Sequence, residues 1–486
     1  MKRAIVVGAG IGGLATSIRL AHKGYQVEVF EANSYPGGKL SAFKEKGFRF
    51  DAGPSLFTMP HFVDELFLLV GENPRDHFNY KRKDVACEYF WPDNTRLTAY
   101  GDTDTFVTHV EEKLGVPAAK LKRYLQRAQQ KFDRTSPLFL EKSLHKRSTL
   151  LRKDTLKALL NLHRYDLLFS LHQTNKRQLK EPHLVQFFDR FATYNGSDPF
   201  QTSGMMTLIQ HLEQAYGTFI PDGGMVQITQ AVFELAQRQG VRFHFNTTVE
   251  RIVTVQKKVT GIRTAEDFFP ADLVVSNMDI YPTYKFLLPD QKSPTQILSQ
   301  ERSSSAVIFY WGIQKSFPDL DLHNILFSED YKHEFHQIFQ EKTVAEDPTI
   351  YINITAKDVP GDAPVGGENW FVMVNTPADH GQDWDRLVAA LRQRVLDKIE
   401  QQLGTSVSEH IATETILTPP LIQQKTQSHL GALYGASSNK AMAAFLRHPN
   451  FSRQLKNLYF CGGSVHPGGG IPLCLLSAKI TADLIP

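Results

Sequence analysis

The sequence predicts an α/β fold built on a Rossmann-like dinucleotide-binding domain. Three observations carry this: an apolar N-terminal strand, a glycine-rich turn directly after it, and an acidic residue closing the next strand. Residues 3–7, RAIVV, read as a buried parallel strand, with Ala4 to Val7 a continuous apolar run as coverage on both faces requires. Gly8, Gly10 and Gly13 then match GxGxxG, with Gly12 inside the motif. A helical stretch, LATSIRLAHKG, runs to Gly24, and a second strand, QVEVFE, ends in Glu31.

Each position has a physical task. Gly8 permits the tight turn. Gly10, lacking Cβ, lets a pyrophosphate approach the backbone. Gly13 lets the helix pack closely on the strand. The helix start offers free N–H groups and a positive dipole end to phosphates. Glu31 can accept from a ribose diol and disfavours a 2′-phosphate. The fingerprint alone does not separate FAD from NAD. A second flexible turn, Tyr35-Pro36-Gly37-Gly38-Lys39-Leu40, is followed by Phe50-Asp51-Ala52-Gly53-Pro54-Ser55, long enough to follow an extended cofactor or to form two surface turns.

Composition bounds the remainder. The chain has 486 residues, more than one hydrophobic core usually serves, so two folding regions are expected. Lys plus Arg is 54 against 51 for Asp plus Glu, which leaves no global field for nucleic acid. The 33 phenylalanines supply core and, in part, the lining of an apolar ligand cavity. The three cysteines, Cys87, Cys461 and Cys474, have neither metal-site nor disulfide-framework spacing, so no metal is expected and a reducing compartment fits. No signal peptide is read at the N-terminus, and no uncharged apolar run reaches the roughly 20 residues of a spanning helix.

Residues 85–100 read as a hairpin turning at Pro92-Asp93-Asn94, and about 104–178 as a helical region. SAVIFYWGI and NWFVMVNTP predict a second sheet, and Ala271 to Asn277 a strand returning to the first. Residues 142–180 hold ten Lys or Arg and two Asp or Glu, interleaved with leucines. A basic, apolar helix pair of this kind suits an anionic membrane surface; the alternative is a solvated basic face over a leucine core.

Gly8 to Gly13, Glu31, Gly37-Gly38-Lys39 and Phe50 to Ser55 resemble the N-terminus of bacterial-type carotenoid desaturases, within the flavin amine oxidase superfamily. The C-terminal block Leu458 to Pro472, with Cys461-Gly462-Gly463-Ser464-Val465-His466-Pro467-Gly468-Gly469-Gly470-Ile471, agrees, as does Gly223-Gly224-Met225 through Thr247-Thr248-Val249-Glu250. The resemblance covers nearly the whole chain. It implies non-covalent FAD, with Gly37, Gly38 and Lys39 along the pyrophosphate, Pro54 and Ser55 in the cofactor block, and Val249 at the adenine. Gly462 and Gly463 would follow the ribityl chain, and Gly470 and Ile471 the isoalloxazine ring. Lys39 stands where the family often has Arg, which keeps the charge but loses the fork. Leu473-Cys474 are larger than the family's usual residues beside the ring.

The implied architecture is a Rossmann-like FAD-binding domain in three parts, 1–80, 221–290 and 420–486. A discontinuous α+β substrate domain would comprise 81–220, including a helical membrane-facing part, and 291–419. The implied reaction removes two hydrogens from adjacent carbons of a polyene, with hydride passing to flavin N5. The C-terminal wording is closest to the subgroup that desaturates the 3,4 bond of a 1′-hydroxylated carotenoid such as hydroxy-γ-carotene. Multi-step phytoene desaturation, a carotenoid isomerase or ketolase-like reaction, and a flavin amine oxidase remain alternatives. Tyr194, Asn195 and Gly196 match a substrate-domain stretch. Asp51 and His466 fall in cofactor-like blocks, without a general base being assigned. The substrate would come from the lipid bilayer, with residues 142–180 docking peripherally on its cytoplasmic side, and oxygen or a quinone would accept the electrons.

Overall fold

The computed structural model describes residues 1–139, 142, 143, 145, 146, 165–440 and 447–486. Residues 147–164 of the basic stretch 142–180 therefore lie outside the described residues, and with them Arg152, Lys153 and Lys157.

Five parallel strands form the first sheet, in the spatial order Leu458–Phe460, Leu273–Ser276, Arg3–Val7, Gln26–Phe30 and Arg242–His244. Arg3–Val7 sits at its centre, which is why Ala4 to Val7 are apolar and buried while Arg3 is exposed at its start. Ala4 and Val6 pack toward helices Ile11–His22, Val226–Arg238 and Ile471–Leu484. Ile5 and Val7 face a three-stranded antiparallel sheet of Val249–Val255, Lys258–Thr264 and Phe268–Pro270. One strand thus feeds two cores by simple alternation.

The second sheet has seven strands, ordered Ile411–Leu417, Ser305–Ile313, Glu368–Thr376, Ile350–Ile354, His323–Leu326, Val85–Phe90 and Arg96–Tyr100. All pairs are antiparallel except His323–Leu326 with Val85–Phe90. The predicted hairpin is present, with Asn94 in the left-handed region at its turn. Along Ser305–Ile313, Val307, Phe309, Trp311 and Ile313 pack on one face with Val388, Leu391 and Val395 of helix Trp384–Leu403. Ile308 and Tyr310 point the other way, into a cavity between the two sheets.

The helical region is broken rather than continuous. Thr103–Leu114 ends at Gly115 with φ 65°, and Pro117 precedes the next helix, Ala118–Phe139. Helices Leu171–Leu179, Pro182–Asp189 and Leu208–Tyr216 follow. No helix among the described residues is long and apolar enough to cross a membrane.

Candidate functional site

A cavity of about 1350 Å³ opens where the first sheet meets the second. Its floor is backbone. Gly8, Gly10 and Gly12 line it, with Gly37 and Gly38 folded against them through a bridge between Gly10 and Gly37. The Gly37 N–H donates to the Ala9 carbonyl at 2.8 Å. A Cβ on Gly10 would stand 2.8 Å from Asn277 Nδ2, so only glycine keeps this surface open. Gly13 lies off the wall. Its Cβ would fall 2.1 Å from the Gly8 carbonyl oxygen, which makes it the point where helix and strand meet.

Two helix starts face this space. Ile11–His22 begins at Gly10 and Ile471–Leu484 at Gly470, and neither has a side-chain cap. Their first N–H groups and positive dipole ends are left for an anionic or electron-rich guest. Gly462, Gly463, Gly470 and Ile471 are all on the wall, and nothing lies within 4 Å of a Cβ built on Gly470. Glu31, buried at the end of the second strand, also lines the cavity. Its Oε2 accepts from Ala9 N at 2.8 Å and its Oε1 from Asn33 N at 2.9 Å, so its carboxylate is held in place. Val249 and its neighbours Thr247 and Thr248 complete that end, and Pro54 and Ser55 continue toward the second sheet.

Lys39 reaches the wall with Nζ donating to the carbonyls of Leu433 at 2.9 Å and Ala432 at 3.3 Å. Burial pushes its ammonium down to about 8, an effect partly offset by Asp279. Asp279 is itself paired with Arg302, both buried.

The far wall is apolar with a polar patch. Ile308, Tyr310, Phe371 and Met373 come from the second sheet, and Met205, Met206 and Ile209 from the helical side. Tyr194 and Asn195 are on this wall; Gly196 is not, being packed at φ 63° against Ser303 and Tyr434.

Two block residues are placed elsewhere. Asp51 accepts from Met225 N at 2.9 Å and Val226 N at 3.0 Å and pairs with Arg49, so it caps helix Val226–Arg238. His466 is buried off the wall, with Nε2 against the Lys142 carbonyl at 2.9 Å.

Sequence reasoning missed Asn277, which touches Gly8, Gly10, Gly12, Gly13 and Gly462 at once. Its signal was present: a polar residue immediately after the carboxyl end of a buried parallel strand, where such folds bind their ligands. Arg190, Glu213, His323 and Tyr351, also on the wall, had no such signal.

The model of the family described as flavin containing amine oxidoreductase matches residues 11–486. A 1-hydroxycarotenoid 3,4-desaturase from Flavobacterium sp. (strain P99-3) is 54% identical over 486 residues, covering 100% of this chain and 99% of the relative. A 4,4'-diaponeurosporene oxygenase from Staphylococcus aureus (strain MSSA476) is 33% identical over 490 residues, covering 100% and 98%. Among solved structures, an oxidoreductase from Methanosarcina mazei superposes with a TM-score of 0.64 at 16% identity, covering 99% of this chain and 100% of that one; it shares the fold.

FAD fits the residues present: two uncapped helix starts, a glycine floor without side chains and a fixed acid share one cavity. The cofactor is held without a covalent bond, in keeping with the thiols nearby. Cys461 is buried off the wall with its thiol pushed up to about 12, and burial pushes the Cys474 thiol up to about 11. On the match over residues 11–486 and the full-length relatives, the chain belongs to the flavin-containing amine oxidoreductase family, as one of its bacterial-type carotenoid desaturase and oxidase members.

Proposed function

We propose that this enzyme is an FAD-dependent carotenoid desaturase that oxidises the 3,4 bond of a 1-hydroxylated carotenoid. One observation carries the reading: a single large cavity joins the two uncapped helix starts to a wall of Ile308, Tyr310, Phe371 and Met373. A space of that lining takes a long hydrocarbon and excludes water from it. The full-length relative at 54% identity supports the same chemistry.

Bound FAD supplies the acceptor for the hydride removed from the substrate. The chain supplies the rest. Gly8, Gly10, Gly12, Gly37 and Gly38 would hold the pyrophosphate through backbone N–H groups, and Glu31 the ribose. Val249 would meet the adenine. Gly462, Gly463, Gly470 and Ile471 would lie along the ribityl chain and ring, where the helix starting at Ile471 stabilises negative charge. Met205, Met206 and Ile209 press the polyene against the opposite sheet and orient its reacting carbons.

On this reading, residues 1–80, 221–290 and 420–486 form the cofactor domain, and 81–220 with 291–419 the substrate domain. The substrate enters from a bilayer that the enzyme contacts peripherally through residues 142–180, on the cytoplasmic side. Leu168 and Phe169, exposed within this stretch, and the cation of Arg177 4.2 Å over the Phe169 ring support that contact. Oxygen or a quinone takes the electrons onward.

Anaerobic incubation of the FAD-loaded enzyme with hydroxy-γ-carotene and, separately, with phytoene tests the reaction. Flavin bleaching and a product with one more conjugated double bond are expected from the first. Bleaching by phytoene alone would replace this reading with phytoene desaturation. Flotation with anionic liposomes tests the docking: neutralising Arg152, Lys153 and Lys157 should weaken binding and its salt dependence.

A further inference from the structure

The cavity wall carries a set of polar side chains that a hydrocarbon cannot use. Arg190 opens the short helix Arg190–Asn195, and Glu213 comes from helix Leu208–Tyr216. Arg190 Nη2 donates to Tyr89 Oη at 2.5 Å and to Tyr194 Oη at 3.2 Å. Tyr194 in turn donates to Glu213, whose carboxylate stands 3.8 Å from the guanidinium. Arg190 and Glu213 are 7% and 5% exposed. Burying two charges is costly, and the pairing of Arg190 with Glu213 and the tyrosines offsets part of that cost.

His323 belongs to the same group. Its Nδ1 faces the Asn353 amide nitrogen at 3.1 Å, and an amide nitrogen only donates. Nδ1 is therefore the acceptor, Tyr351 Oη lying 2.7 Å from it as well, and the ring proton sits on Nε2. Burial, with the charges of Lys83 and Arg190, pushes the imidazole down to about 3, so the ring is neutral at any physiological pH. Its Nε2 is buried without a partner, as are Arg190 Nε and Asn195 Oδ1. Two donors and one acceptor thus remain unused on three residues of the cavity wall. A hydroxyl offers the complement: lone pairs for the two N–H groups and one proton for the amide oxygen.

The charge pattern narrows the guest. An ammonium would meet the Arg190 cation, and a carboxylate would meet Glu213, so the cluster favours a neutral oxygen function. Its position is defined by Tyr434, which packs against Gly196 on one side and Gly469 on the other; a Cβ on either glycine would lie 3.0 Å from it. The Asn195 end of the cluster, at Gly196, is thus one side chain removed from the glycine loop that opens helix Ile471–Leu484.

We propose that Arg190, Tyr194, Asn195, Glu213 and His323 form a subsite for the terminal hydroxyl of the polyene, and that this subsite selects the bond that is oxidised. The inference rests on the desaturase reading. In a 1-hydroxylated carotenoid a single carbon separates C1 from C3. Anchoring the hydroxyl therefore fixes the 3,4 bond beside the glycine loop, as a fixed end fixes the register of a chain.

The test compares the FAD-loaded full-length enzyme on a 1-hydroxylated carotenoid and on the same carotenoid with hydrogen in place of the hydroxyl. Wild type should favour the hydroxylated substrate in kcat/KM by at least about tenfold. Asn195→Leu and His323→Phe, which remove an unused acceptor and an unused donor with little change of shape, should collapse that ratio to within about twofold and yield products oxidised at more than one bond. Flavin content and the melting temperature identify a variant that has failed to fold, in which case the wild-type ratio alone decides. Equal wild-type kcat/KM on the two substrates overturns the subsite while leaving the desaturase reading intact. So does an equal loss on both substrates in a folded variant. Oxidation of neither substrate by wild type overturns the desaturase reading itself.

Discussion

Around Gly8 to Gly13 the cavity wall is backbone, whereas around Arg190 and Tyr351 it is side chains brought together from separate helices and strands. The backbone wall is made by one tight turn, so its requirements fall on positions two and three residues apart. The side-chain wall joins residues 190, 213, 323 and 351, each on its own element. A surface that any FAD enzyme needs is built locally, and the surface that tells one substrate from another is assembled across the fold. The first tolerates almost no added atom. The second tolerates changes of shape but not of hydrogen-bonding capacity.

The largest expected effect falls on the backbone wall. Gly10→Val places a branched side chain where Asn277 Nδ2 is already 2.8 Å from a bare Cβ, and should abolish flavin binding, read as loss of visible flavin absorbance in the purified protein. Full flavin occupancy would erase the contrast between the two walls. Next comes Arg302→Ala, which leaves the buried Asp279 carboxylate unpaired beside the cavity. Loss of a buried ion-pair partner costs about 3–5 kcal/mol, to be measured by urea unfolding. Asp51→Ala removes the acceptor for two helix N–H groups and should cost about 1–3 kcal/mol in the same assay. A drop in flavin content larger than the drop in stability would mean that Asp51 serves the cofactor directly.

The smallest effect is a slope. The Lys39 ammonium is held near 8, below its ordinary 10.5, so from pH 8 to 10.5 the unfolded chain binds a proton more tightly than the folded one. That group therefore contributes stability that rises with pH across the window. In flavin-free protein, Lys39→Met should flatten the rise of unfolding free energy between pH 8 and 10.

Legibility followed the same division. The first strand, its turn and Glu31 could be read because each obeys a local spacing, and the C-terminal glycine block through its resemblance to known desaturases. The strand Ser305–Ile313 and the hairpin at Asn94 could be read from composition and turn chemistry. Arg190 could not: it lies in an apolar helical run, and nothing nearby in the chain announces Glu213 or His323 as its neighbours. His466 shows the limit of local reading, which leaves a flavin role and a backbone hydrogen bond both open. It stands in the most distinctive block of the chain, yet its ring bonds a backbone carbonyl away from the wall. Proximity in sequence to a cofactor motif is not proximity to the cofactor.

The first strand pairs with Leu273–Ser276, which pairs with Leu458–Phe460, and Tyr25 Oη donates to the Pro486 carbonyl at 2.8 Å. During synthesis the opening βαβ segment must therefore leave the ribosome and persist, half-built, until the final helix arrives. At about 5–20 residues per second that delay lasts tens of seconds. Over that interval an apolar strand lacks one neighbour and the dinucleotide has half a cradle. The cradle for the dinucleotide is therefore closed only once the glycine loop before helix Ile471–Leu484 has been made and has returned to the first sheet.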